Sequence, residues 1–123
     1  MEMLPISMQN IIASVSKTLP QYPQLPKMFA DTFSNSYSTT LKQQPDGSVF
    51  VITGDIPAMW LRDSAAQVRP YVRLAKRDPH FANLIAGVIK QQAKYVLIDP
   101  YANAFNERAN GHCHNKDKTD MGD

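Results

Sequence analysis

The stretch TGDIPAMWLRDSAAQVRPY, Thr53 to Tyr71, sets the chain's only tryptophan beside an arginine and an aspartate, where an apolar run gives way to helical spacing. Immediately upstream, TLKQQPDGSVFVIT (residues 40–53) carries a Pro-Asp-Gly turn signal between β-branched and alternating residues, which predicts a small hairpin with strand character ending at Gly54. From Pro57 the spacing of Met59, Trp60, Val68 and Val72 predicts a helix. Pro70 must kink or split it by removing a backbone donor. Arg69, Arg73, Lys76 and Arg77 fall in its last turns, where the helix dipole favours cations.

Working outward, Ser7 is an expected N-cap for a helix carrying Ile11, Ile12, Val15 and Leu19, closed by Pro20. Three prolines stiffen PQYPQLP, and Pro26 is expected to open a second helix with a stripe of Phe29, Phe33 and Tyr37. On the other side, Asp78-Pro79 reads as a cap followed by a first-turn proline. Phe81, Leu84, Ile85, Val88, Ile89 and Val96 then give the clearest helical pattern, stopped at Asp99-Pro100. The remainder, residues 101–123, is rich in Asn, Asp and Gly, has almost no apolar residue after Phe105, and reads as loop. The expected fold is mainly α, about four helices with one β-hairpin.

The 123 residues, 43% hydrophobic and 20% charged, have globular composition. A formal net charge of +2, with basic and acidic residues interleaved, gives no reason to expect nucleic acid or an acidic membrane as partner. Cys113 is the single cysteine, so no internal disulfide forms. The N-terminal residues lack a basic region followed by a continuous apolar run, and no stretch approaches the ~20 apolar residues of a membrane span. The expected location is cytoplasmic.

Trp60, Arg62 and Asp63 form a set suited to a sugar: an aromatic face for the apolar ring surface, and paired donors and acceptors for neighbouring hydroxyls. The same residues also serve ordinary structural ends, a core tryptophan and a surface ion pair. Asp55 is placed either to cap the helix after Pro57 or to line the same cleft as Asp63. His112, Cys113 and His114 include zinc-ligand types, but their spacing is too tight for one tetrahedral ion and the rest of a zinc signature is missing, so no metal is expected. Asp99, Asn103, Asn106, Glu107, Asp117 and Asp120 are polar residues of the kind that bind sugar hydroxyls and of the kind any exposed loop contains.

Three ordered blocks, VFVITGDIPAMWLRDSAAQVRPY (49–71), DPYANAFNE (99–107) and DKTDM (117–121), resemble glycoside hydrolase family 125, the metal-independent exo-acting α-1,6-mannosidases. The resemblance implies the N-terminal portion of an (α/α)6 barrel, with residues 1–123 belonging to a single catalytic domain whose C-terminal remainder is absent. It implies an α-1,6-linked mannoside as substrate, no cofactor and no metal. By the same resemblance Trp60, Arg62 and Asp63 belong to the sugar pocket with Asp55 at its edge, and Asn106 and Asp120 sit in matching motifs. An inverting mechanism is implied, with one carboxylic acid protonating the leaving oxygen and a second carboxylate activating water. Both catalytic carboxylates are implied to lie beyond Asp123, so this chain carries none. The contrasting expectation is a non-catalytic remnant or carbohydrate-binding module.

Overall fold

The structure, a computed structural model, describes residues 3–112. Its longest element is helix α5, Pro79–Ile98. Asp78 caps it, accepting 2.9 Å from the His80 amide, and Pro79 occupies a first-turn position where no backbone donor is needed. Spacings of three and four put Phe81, Leu84, Val88, Gln91 and Tyr95 on one buried face.

Against that face lies the expected hairpin, β1 (Leu41–Gln43) antiparallel to β2 (Val49–Val51), with Lys42 opposite Phe50. All three β2 residues are buried. The turn closes through Gln44 N to Ser48 O (2.8 Å) and Gly47 N to Gln44 O (3.0 Å), and Gly47 takes φ +82°, a conformation side chains resist. The turn is tied to α5 by charge: Asp46 accepts from the Ser48 amide (3.0 Å) and hydroxyl (2.5 Å) and from Lys94 Nζ (2.9 Å), while Lys90 donates to the Asp46 carbonyl.

Three carboxyls held this way make the fold acid-sensitive. Hydrogen bonds from Ser48, then the Lys94 contact, hold Asp46 well below the usual carboxylate range; the Ser7 hydroxyl lowers Asp78, and Gln44 with Lys42 lowers Glu107. Folded values below unfolded ones mean stability present above the unfolded carboxyl range and lost as pH falls through the folded values. The expected result is a melting temperature that is level near neutrality and declines from about pH 5 downward. Salt should blunt only the part of the decline that comes from the solvent-facing Lys94–Asp46 and Lys42–Glu107 pairs, since it does not screen the Ser48, Ser7 and Gln44 hydrogen bonds. A profile flat to pH 2 would contradict these contacts.

Helices α1 (Ile6–Thr18) and α2 (Gln24–Thr39) pack together. Ser7 is not the N-cap: Pro5 is, and Ser7 sits inside α1 with its hydroxyl given to Asp78 Oδ2 at 2.5 Å. Pro26 is not the first residue of α2 but its third, still within the first turn, where a missing N–H costs no helical bond. Phe33 and Tyr37 meet Tyr71 and Phe81 in an aromatic cluster. Tyr71, 1% exposed, satisfies its hydroxyl by donating to the Phe33 carbonyl and accepting from the Tyr37 amide (3.1 Å).

The third helical region starts later than Pro57. Residues 54–58 form a small loop, closed by Thr53 N to Ala58 O at 3.4 Å, and Met59–Trp60 form strand β3 before α3 (Leu61–Val68) begins. As expected, Pro70 breaks the helix: Arg69–Tyr71 is a 3-10 turn and α4 (Val72–Ala75) follows. The partner of β3 is β4, Ala104–Phe105, antiparallel with Met59 opposite Phe105 and Trp60 opposite Ala104. This corrects the reading of residues 101 onward as loop throughout: Phe105 is 3% exposed and stacks on Tyr95 with ring centroids 4.4 Å apart. No helix among the described residues is long and apolar enough to cross a membrane.

Candidate functional site

The β3–β4 pair fixes the start of α3. Leu61 N donates to Asn103 O (3.0 Å), and Trp60 N donates to Thr53 Oγ1 (3.2 Å), so three segments meet at one point. Beneath it, fully buried Ser64 accepts from Gln92 Nε2 (2.9 Å), which also donates to Leu61 O (3.0 Å), locking the first turn of α3 onto α5. The backbone that carries Trp60, Arg62 and Asp63 is therefore rigid, while their side chains are accessible.

Trp60 is half-buried. Arg62 and Asp63 are 91% and 46% exposed, joined by one contact of 3.4 Å between Nη2 and Oδ1. A pair so exposed and long contributes little to stability. Its guanidinium and carboxylate stay available to a ligand.

Asp55 lies exposed on the 54–58 loop and caps no helix, because α3 begins only at Leu61. Asn106 makes its contacts with other residues. Its amide donates to His112 O (2.7 Å), its carbonyl accepts from the Tyr95 hydroxyl (2.7 Å), and it lines a pocket of 220 Å³ with Gln91, Lys94, Tyr95, Ile98, Glu107 and others. Asp120, Asp117, Cys113 and His114 lie outside the described residues. Among the described residues no group of three or more His, Cys, Asp or Glu is placed to hold a metal ion.

Two features escape the sequence reading. Tyr101, 89% exposed and held by an Asp99 carboxylate that accepts from its amide (2.9 Å), presents an aromatic ring two residues before the Asn103 that bonds Leu61. Its signal was the exposed aromatic inside DPYANAFNE. Gln91 had none, since nothing local distinguishes a buried glutamine from its partly buried neighbour Gln92 until the helix is packed.

An indole, a guanidinium and carboxylates presented at one strand-to-helix junction are groups that a sugar-binding site can use. The chain belongs to glycoside hydrolase family 125, the metal-independent α-mannosidases, which matches residues 22–123. It is similar to a solved metal-independent α-mannosidase of Streptococcus pneumoniae, in a non-productive substrate complex with α-1,6-mannobiose, at 44% identity and TM-score 0.81 over 85% of this chain and 24% of that one. It is also 41% identical over 103 residues to the meiotically up-regulated gene 157 protein of Schizosaccharomyces pombe, covering 80% of this chain and 20% of that protein. The chain thus spans between a fifth and a quarter of these relatives. Its mainly helical architecture with a small antiparallel hairpin agrees with part of the helical barrel of the solved relative.

Proposed function

We propose that this chain supplies part of the sugar pocket of an inverting, exo-acting α-1,6-mannosidase, with the acid and base contributed by carboxylates outside residues 1–123. The observation that carries this reading is the exposed Arg62–Asp63 pair on an immobilised turn beside half-buried Trp60, in a chain 44% identical to a mannosidase solved with α-1,6-mannobiose. Arg62 and Asp63 would hold vicinal hydroxyls of the terminal mannose, Trp60 would cover its apolar face, and Asp55 would stand at the edge. Ile89, Val96 and Leu97, left 60%, 47% and 87% exposed on α5, support a segment that packs against further helices of one catalytic domain.

The test is release of mannose from α-1,6-mannobiose in the presence of a chelator. A polypeptide extended to the length of the solved relative should turn the substrate over unchanged by chelation, whereas residues 1–123 alone should show none. Activity that falls on chelation and returns with added metal, or hydrolysis by the 123-residue chain itself, would overturn the proposal.

A further inference from the structure

Arg62 and Asp63 meet across 3.4 Å, and that contact is the one hydrogen bond or ion pair that either side chain makes among the described residues. Their position is therefore inherited from the backbone turn that carries them. That turn, residues 61–64, is gripped from α5 by Gln92, 31 residues beyond Leu61 and 28 beyond Ser64. The amide nitrogen of Gln92 has two protons, and two acceptors lie within reach: Leu61 O at 3.0 Å and Ser64 Oγ at 2.9 Å. Ser64 Oγ in turn donates to Leu61 O at 3.0 Å, so three groups close a ring of hydrogen bonds whose two ends on α3 bracket Arg62 and Asp63 in the chain.

Packing alone does not call for a glutamine here. Gln92 is half-buried over a fully buried Ser64, whose hydroxyl already has an acceptor in Leu61 O, so an apolar side chain of equal length would leave no donor unmatched. What the amide adds is a pair of donors that reach both ends of the turn. We propose that Gln92 is a positioning residue for the Arg62–Asp63 pair: by holding Leu61 and Ser64 against α5, it sets where the guanidinium and the carboxylate stand, without touching the sugar itself. The inference rests on the mannoside reading above for what that pair holds. With the turn released, groups that grip the ring must be ordered at the moment of binding, which costs affinity. Such a loss falls on KM, since it weakens binding of substrate and transition state alike.

The experiment uses a polypeptide of the solved relative's length. Gln92→Met, which keeps the length of the side chain and loses both donors, should raise KM for α-1,6-mannobiose about five- to tenfold while kcat moves less than about twofold. In an Arg62→Ala/Asp63→Ala background, where nothing is left to position, the same change should shift KM by less than about twofold. A contact that served folding alone would cost the same factor in both backgrounds. Hydrogen exchange supplies a reading that needs no activity: peptides from α3 should exchange faster in Gln92→Met, while those from α1 keep their rate. Should Gln92→Met fail to fold, Ser64→Ala, which deletes one of the two acceptors without adding bulk, carries the same test with a smaller rise in KM of about threefold. An equal loss in both backgrounds, a fall in kcat with KM unmoved, or unchanged exchange in α3 would each overturn the assignment. A polypeptide that hydrolyses no mannobiose would overturn the mannosidase reading instead, and the exchange comparison would still decide whether Gln92 holds the turn.

Discussion

Alanine at Gly87 should lower the melting temperature by about 10 °C, a cost of about 2–3 kcal/mol, even though the same change in an open helix stabilises by about 0.5–1 kcal/mol. The sign reverses because α5 meets the hairpin at this residue. A Cβ there would lie 2.6 Å from Val49 Cγ2 and 2.7 Å from Gly47 O, both closer than side chains tolerate. Val49 is 2% exposed with a β-branched side chain that is stiff at χ1, and the Gly47 carbonyl belongs to a turn fastened to α5 through Asp46, Lys90 and Lys94. Relief would require moving the hairpin off the helix. The double variant Gly87→Ala/Val49→Ala separates the two contacts: it removes the methyl clash but not the carbonyl one, so it should recover little of the loss beyond the cost of Val49→Ala itself. A melting temperature unchanged or raised in Gly87→Ala would mean that the helix and hairpin do not approach this closely.

What the sequence disclosed follows from the range of the forces involved. Helix α5 and the hairpin announce themselves locally, through Asp78-Pro79, the three-four spacing from Phe81 to Tyr95, and Pro-Asp-Gly. Pro70 likewise acts within its own turn. The β3–β4 pair does not, because Met59–Trp60 is extended only by virtue of pairing with Ala104–Phe105, and helical spacing from Pro57 is the reasonable reading until that partner is present. Ser7 misleads for a related reason: its hydroxyl meets the carboxylate of distant Asp78 instead of an amide of its own helix. At the site, Trp60, Arg62 and Asp63 were legible as one cluster because they are neighbours in the chain. Asn106 was legible only as a polar loop residue, and the structure sets it in the separate Gln91 pocket.

Asp63→Ala should lower kcat/KM for α-1,6-mannobiose by about ten- to a hundredfold, measured in a polypeptide of the solved relative's length, while moving the melting temperature by no more than about 2 °C. The two halves of this expectation have separate causes. Asp63 touches Arg62 at 3.4 Å, both side chains are exposed, and its place in the first turn of α3 adds only a few tenths of a kcal/mol through the helix dipole. Little folding energy is at stake. A charged acceptor that receives sugar hydroxyls, by contrast, contributes about 1.5–3 kcal/mol to holding the ring. Arg62→Ala should behave alike, and the double variant should lose less than the product of the two single losses, because both residues would grip one ring. Trp60 is the poorer probe: half-buried and opposite Ala104 in β3–β4, its truncation removes packing together with any stacking. If Asp63→Ala instead unfolded the protein and left turnover per folded molecule intact, the Arg62–Asp63 pair would be a structural contact.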